Sequence, residues 1–165
     1  MNATDADCRG QPTPEELAFV EEVAVFMEGF GLLRMAGRIL AWLLICEPPE
    51  QSAADLARVL QASKGAISGA TNLLVQGRMI DRVSLPGQRR DYFRARPGGQ
   101  TERMRAGIAE LTTFRDIAER GLALLPDDPK RRERLQEVHD LYAWMERELP
   151  DLFARWEREW GRKGH

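Results

Sequence analysis

The chain has 165 residues, 43% of them hydrophobic and 30% charged, an ordinary balance for a folded protein and enough length for one compact unit or a small domain with appended helices. Its longest apolar run, Ile39 to Cys46, makes about two helical turns, far short of a bilayer span, so no membrane partner is expected. Met1 to Gln11 is acidic and polar with no apolar stretch behind a basic start, so no secretory signal is expected and the cytoplasm is the expected location.

The two cysteines, Cys8 and Cys46, and the two histidines, His139 and His165, show no metal-ligand spacing, so neither a metal nor a cofactor is expected. Cys46 closes an apolar helix and reads as a buried, inert thiol in preference to a redox sensor. The net charge of −2 is unevenly spread: Arg58 to Arg105 holds ten Lys or Arg against three acids, a net of +7, and the rest of the chain nets −9. Basic charge gathered on one segment of an acidic chain is the footprint of a polyanion site, although a solvated basic face has the same composition.

In chain order, Thr13 with Glu16 has the form of a capping box ahead of a helix over Glu15 to Phe30, whose Leu17, Val20, Val23, Ala24 and Met27 recur at helical spacing. Arg34 to Cys46 is apolar around much of its circumference, which marks a core helix, and Pro48 and Pro49 follow it. Ser52 is placed to cap a short helix over Ala53 to Leu60, with Asp55 at the capping-box position. Ser63 is placed to cap another over Lys64 to Gln76, with Gly77 at its end. Gln61 and Ala62 leave only a tight turn between the two.

The period then shifts towards strands, Met79 to Leu85 and Asp91 to Arg96, around a Pro86-Gly87 turn that carries Gln88, Arg89 and Arg90. After Pro97-Gly98-Gly99, helices are expected over Thr101 to Leu125 and Arg131 to Glu148. Pro126 to Pro129 forms a break between them, and Pro150 separates off a short amphipathic tail containing Leu152, Phe153, Trp156 and Trp160. The fold class is therefore mainly α with a small β-hairpin wing: a winged helix-turn-helix plus a helical dimerisation region. The divisions are a leader at 1–13, a DNA-binding domain at 14–98 and a dimerisation region at 99–165, with the helix at 14–31 also contributing to the dimer interface.

The helix over Lys64 to Gln76 carries the functional reading. Ile67, Ala70, Thr71 and Leu74 make a core stripe, whereas Lys64, Gly65, Ser68 and Asn72 lie on another side. Ser63, Ser68 and Asn72 can bond base edges and phosphates. Gly65 and Gly69 each cost a helix roughly 1 kcal/mol relative to Ala, which points to a steric reason for them such as close approach to a groove. Arg89 and Arg90 on the wing suit phosphate or minor-groove contact, and Arg78, Arg82, Arg94 and Arg96 add cations from the flanks.

The stretches Ser52-Ala53-Ala54-Asp55-Leu56-Ala57, Ser63-Lys64-Gly65-Ala66-Ile67-Ser68 and Leu74-Val75-Gln76-Gly77-Arg78-Met79-Ile80 resemble the MarR superfamily. The Ser-Lys-Gly opening, together with Phe26-Met27-Glu28-Gly29-Phe30-Gly31-Leu32, is most similar to its GbsR-like branch. The resemblance covers roughly Phe19 to Arg105. It implies a homodimer whose terminal helices form the interface and whose two heads read successive major grooves, with repression relieved by a small ligand held between head and dimerisation helices.

Independently, a reader of this size gains affinity from two half-sites about 34 Å apart, and Trp144, Phe153, Trp156 and Trp160 are costly to leave in water. Phe26, Phe30, Trp42 and Tyr142 are candidates for an aromatic effector pocket, with Glu22 or Glu28 as a counter-charge for a cation, set against an ordinary core role. No nucleophile with a base, no paired carboxylates and no metal site stand at recognisable spacing, so an enzyme is not expected. A winged helix used only for protein contacts is the remaining alternative; Arg89 and Arg90 beside Lys64 argue against it.

Overall fold

The computed structural model describes residues 12–125 and 129–160. Nearly all of the 1–13 leader, including Cys8, lies outside the described residues, as do most of the Pro126 to Pro129 break and His165. The chain divides into two compact units, Met1–Gln100 and Thr101–His165.

The first unit opens with α1 (Pro14–Glu28). Its N-terminus is closed by the Thr13–Glu16 capping box: the Glu16 N–H donates to the Thr13 hydroxyl at 3.1 Å and the Thr13 N–H donates to the Glu16 carboxylate at 2.7 Å. Each bond satisfies a donor that the first turn leaves without an intrahelical partner. α1 packs on α2 (Arg34–Ile45), which buries Ala36, Gly37 and the whole run Ile39 to Leu43. A Cβ on Gly37 would stand 2.9 Å from the Cα of Ala24, so these helices meet backbone to backbone. Glu21 clamps the pair from the outside, with its carboxylate 2.5 Å from the Arg38 guanidinium and 3.2 Å from that of Arg34.

The core then grows by α3 (Ala53–Val59) and α4 (Lys64–Gln76). Leu56, Leu60, Ile67, Leu74 and Ile80 are at most 1% exposed, as are Ile39 and Leu40 of α2; burying each such side chain contributes about 1.5–3 kcal/mol. Ser52 caps α3 and forms the expected box with Asp55. Between α3 and α4 the chain turns through Gln61 in the left-handed region (φ 48°), and the Ala62 N–H donates to the Ala57 carbonyl at 3.0 Å.

β2 (Ile80–Ser84) and β3 (Asp91–Ala95) form the expected hairpin. A third strand, β1 (Gln51–Ser52), pairs antiparallel with β3, giving the sheet order β1-β3-β2. Two residues leave no alternation to read in a sequence, and their pairing is set by a partner some forty residues away.

The second unit contains most of α5 (Gly99–Ala123) and all of α6 (Pro129–Trp160). Arg105 pairs with Glu157 at 2.6 Å, Arg115 with Glu146 at 2.6 Å, and Phe114 stacks on Tyr142 with ring centroids 4.6 Å apart. These contacts run in opposite senses along the two helices, so the helices are antiparallel. The expected break at Pro150 is corrected: α6 runs straight through it. Proline removes one backbone donor and strains the preceding turn. Here it sits exposed, and strong helix formers continue on both sides.

Candidate nucleic-acid interface

On α4 the two stripes read in the sequence become two faces. Ile67, Ala70, Thr71 and Leu74 are buried, and Ser63, Lys64, Gly65, Ser68 and Asn72 are all exposed. Burial of the first set orients the second, because residues three and four apart share a side of the helix. The buried Thr71 hydroxyl donates to the Ile67 carbonyl at 2.9 Å, which keeps a polar side chain satisfied within the packed face.

The N-terminal end of α4 is electropositive. Ser63 accepts from the Ala66 N–H at 3.2 Å, which leaves its own hydroxyl proton to donate. The first turn holds Lys64 and no acid, so the positive end of the helix dipole is uncompensated and suits a phosphate. A Cβ at Gly65 or Gly69 would meet nothing within 4 Å. Neither glycine is therefore demanded by the chain's own packing.

The wing turns at Leu85-Pro86-Gly87-Gln88. Pro86 presets the first corner, Gly87 takes the left-handed conformation (φ 78°), and the Gln88 N–H donates to the Leu85 carbonyl at 3.1 Å. Beyond the turn Arg89 is exposed and makes no ion pair or hydrogen bond among the described residues, as is true of Lys64. Arg90 is steadied by the buried Tyr92: its Nε donates to the phenol oxygen at 3.1 Å and its guanidinium lies 5.6 Å from the ring centroid. Arg78 is exposed just past the end of α4, in the left-handed region (φ 54°).

The remaining wing arginines are engaged in ways that the sequence did not show. Arg94 stands 3.6 Å from Glu50 and 3.9 Å from Asp81, and Arg96 is 3.7 Å from the same Asp81. Arg94, counted among the expected DNA contacts, thus has two carboxylates beside it. Arg82 of β2 reaches across to α4, where it donates to the Asn72 side-chain oxygen at 2.8 Å. It also pairs with Asp91 at 3.5 Å and lies over the Phe93 ring at 5.7 Å. The segment's net of +7 is therefore unevenly available, with Lys64, Arg89 and Arg90 as its least compensated cations.

The four aromatic pocket candidates have different surroundings. Trp42 is 4% exposed within the core of the first unit, its indole N–H unpartnered among the described residues. Phe26 and Phe30 pair with each other at 5.0 Å and are 63% and 76% exposed. Tyr142 belongs to the second unit, stacked on Phe114. Within the first unit, then, Trp42 is a core residue and the two phenylalanines are a surface pair. Cys46 is buried, and burial, followed by the nearby Glu47 and Glu50 carboxylates, pushes its thiol up to about 11 despite a backbone hydrogen bond that opposes the shift.

Among the described residues no group of three or more His, Cys, Asp or Glu is placed to hold a metal ion, and no helix is long and apolar enough to cross a membrane. Two family models match the chain: a MarR family model over residues 30–91 and an MmpR5-like MarR family transcriptional regulator model over residues 98–159. Over 165 residues, 98% of this chain and 98% of the relative, it is 41% identical to the HTH-type transcriptional regulator MmpR5 of Mycobacterium tuberculosis. The chain belongs to the MarR family. A crystal structure of a transcriptional regulator is also similar to this MarR-family chain, at 40% sequence identity and a TM-score of 0.73, covering 88% of this chain and 99% of that one. Membership makes the chain a DNA-binding transcriptional regulator, not an enzyme, and disfavours the alternative of a winged helix devoted to protein contacts.

Proposed function

We propose that this MarR-family chain acts as a homodimer that reads duplex DNA sequence-specifically, with α4 in the major groove and the wing over residues 85–91 on the backbone. The observation that carries this reading is the exposed row Ser63, Lys64, Gly65, Ser68 and Asn72 on a helix buried by its other face, with Arg89 and Arg90 on a hairpin joined to that same helix through Arg82. Hydroxyl and amide groups that can reach base edges give sequence preference, and cations on the wing give affinity without preference. In this division Arg78 serves as a flanking phosphate contact, and Arg94 contributes less because Glu50 and Asp81 already face it.

The dimer is supported by what one chain leaves uncovered. α6 has 32 residues and fully buries none of them, and Trp144, Trp156 and Trp160 are each at least 44% exposed. On α1, Phe19, Val25 and Phe26 are exposed as well. The helical region 99–165, with α1, therefore supplies the interface, and residues 14–98 supply the reader. Repression relieved by a small ligand follows from the family resemblance seen in the sequence. Within the family, the Ser63-Lys64-Gly65 opening supports a GbsR-like placement, whereas the model match over 98–159 and the 41% identity support an MmpR5-like one, which we favour.

The test is a fluorescence-anisotropy titration of the full chain on duplex DNA from upstream of its own gene, at low and at physiological salt. Binding that weakens steeply with salt and is tightest on that sequence supports the proposal. Absence of any binding at low salt refutes it.

A further inference from the structure

Asn72 is an exposed amide of the reading face, and its partner fixes which way it faces. A guanidinium has donors and no acceptor, so the 2.8 Å contact from Arg82 must fall on the Asn72 carbonyl oxygen, and the side-chain NH2 is left to point elsewhere. Arg82 is itself held from two further directions, by Asp91 at 3.5 Å and by the Phe93 ring at 5.7 Å. Phe93 is 4% exposed in the sheet, so the ring is a fixed platform. The amide is therefore oriented by the wing, through one arginine.

This has a consequence for base choice. An Asn that reads adenine does so with both groups at once, accepting from N6 and donating to N7. With Arg82 on one of the two lone pairs of its oxygen, Asn72 must accept from adenine through the other, in an orientation that Arg82 sets. Donation from its NH2 requires no sharing, and guanine presents two acceptors, N7 and O6, on its major-groove edge. The Arg82 cation beside the amide favours the same electronegative edge.

We infer, resting on the proposal that α4 reads the major groove, that Arg82 is a positioning residue for specificity: by engaging one lone pair of the Asn72 oxygen and orienting the amide, it biases Asn72 towards donating through its NH2, which favours guanine over adenine at one position of each half-site. Arg82 acts through Asn72 and needs no base contact of its own.

The experiment selects bound sequences from a random-sequence duplex library with full-length wild type, Asn72→Ala, Arg82→Met and Arg82→Lys, then measures Kd on matched G and A duplexes, with melting curves to confirm folding. The Asn72-dependent position should show about tenfold preference for G over A in wild type. Arg82→Met keeps an unbranched side chain but removes the donor and the charge, and should bring the two bases within about twofold or reverse them; Arg82→Lys restores a donor and should recover the preference. A G preference lost in Asn72→Ala but intact in Arg82→Met overturns the inference while leaving α4 as the reader. So does a wild-type preference for A at that position, a result that needs no Arg82 variant. If Asn72→Ala alters preference at no position, the reading of Asn72 as a base contact fails, and the inference fails with it.

Discussion

Ser52 stands directly opposite Tyr92 in the β1–β3 ladder, so the residue that caps α3 also ties the wing's return strand to the helix-turn-helix. Its hydroxyl is 2.5 Å from the Asp55 carboxylate, its N–H donates to the same carboxylate at 3.1 Å, and the Asp55 N–H donates back to the hydroxyl at 3.2 Å. The cap is a side-chain function and the strand pairing a backbone one, so substitution separates them. Ser52→Ala should cost about 1 kcal/mol of stability through the cap while leaving the wing paired, as measured by urea unfolding and by amide protection in β3. Loss of protection in β3 without global unfolding would show that the hydroxyl also holds the strand.

The same cap predicts a pH dependence. Burial raises the Asp55 pKa, but the Ser52 hydroxyl and N–H, together with Arg58, outweigh it and hold the carboxyl below its ordinary value. A group whose pKa is lowered by folding stabilises the fold above its unfolded pKa, about 4, and loses that contribution as pH falls through the lower folded value. Wild type should therefore lose stability on acidification below about pH 4 more steeply than Asp55→Asn, as followed by thermal melting across that range. Parallel curves for the two proteins would remove Asp55 from the account.

Gly65 and Gly69 separate stability from function. Neither has a neighbour that a Cβ would meet, so alanine at either position should stabilise the fold by up to roughly 1 kcal/mol. On the reading face the added methyl groups should hinder approach to DNA, weakening binding severalfold even as the melting temperature rises. Calorimetry and anisotropy on the same preparations check both directions. Tighter binding by the alanine variants would mean that the glycines do not serve groove approach.

The capping signals were legible in the sequence because they are local: Thr13 with Glu16, Ser52 with Asp55, and Ser63 each act within four residues. The hairpin was legible for the same reason, through Pro86 and Gly87. What escaped was non-local or a matter of partners. β1 exists only because β3 passes beside it. Pro150 reads as a stop in the sequence, but α6 continues through it, with strong helix formers on both sides. Arg94 reads as a DNA contact, and only the folded sheet brings Glu50 and Asp81 to it. Arg82 is one basic residue among several in the sequence, and its hold on Asn72 ten positions earlier depends on how β2 packs beside α4.

Cys46 offers a check on burial. With its thiol pushed up to about 11, almost none of it is thiolate at neutral pH, and the side chain is 8% exposed. Iodoacetamide at neutral pH should leave the Cys46 peptide unmodified in the native protein and label it fully in denaturant, as read by mass spectrometry. Rapid native labelling would point to a reactive site in place of an inert core thiol.

The division of labour between helix and wing is tested most directly by the salt dependence of binding. Titration of the full chain and of its Arg89→Ala/Arg90→Ala variant on one duplex, from low to physiological salt, gives the slope of log K against log salt for each. The variant should bind more weakly on every sequence alike, with a slope smaller in magnitude by about two, one for each phosphate that the wing no longer neutralises. Equal slopes and equal affinities for the two proteins would contradict the wing's role on the backbone.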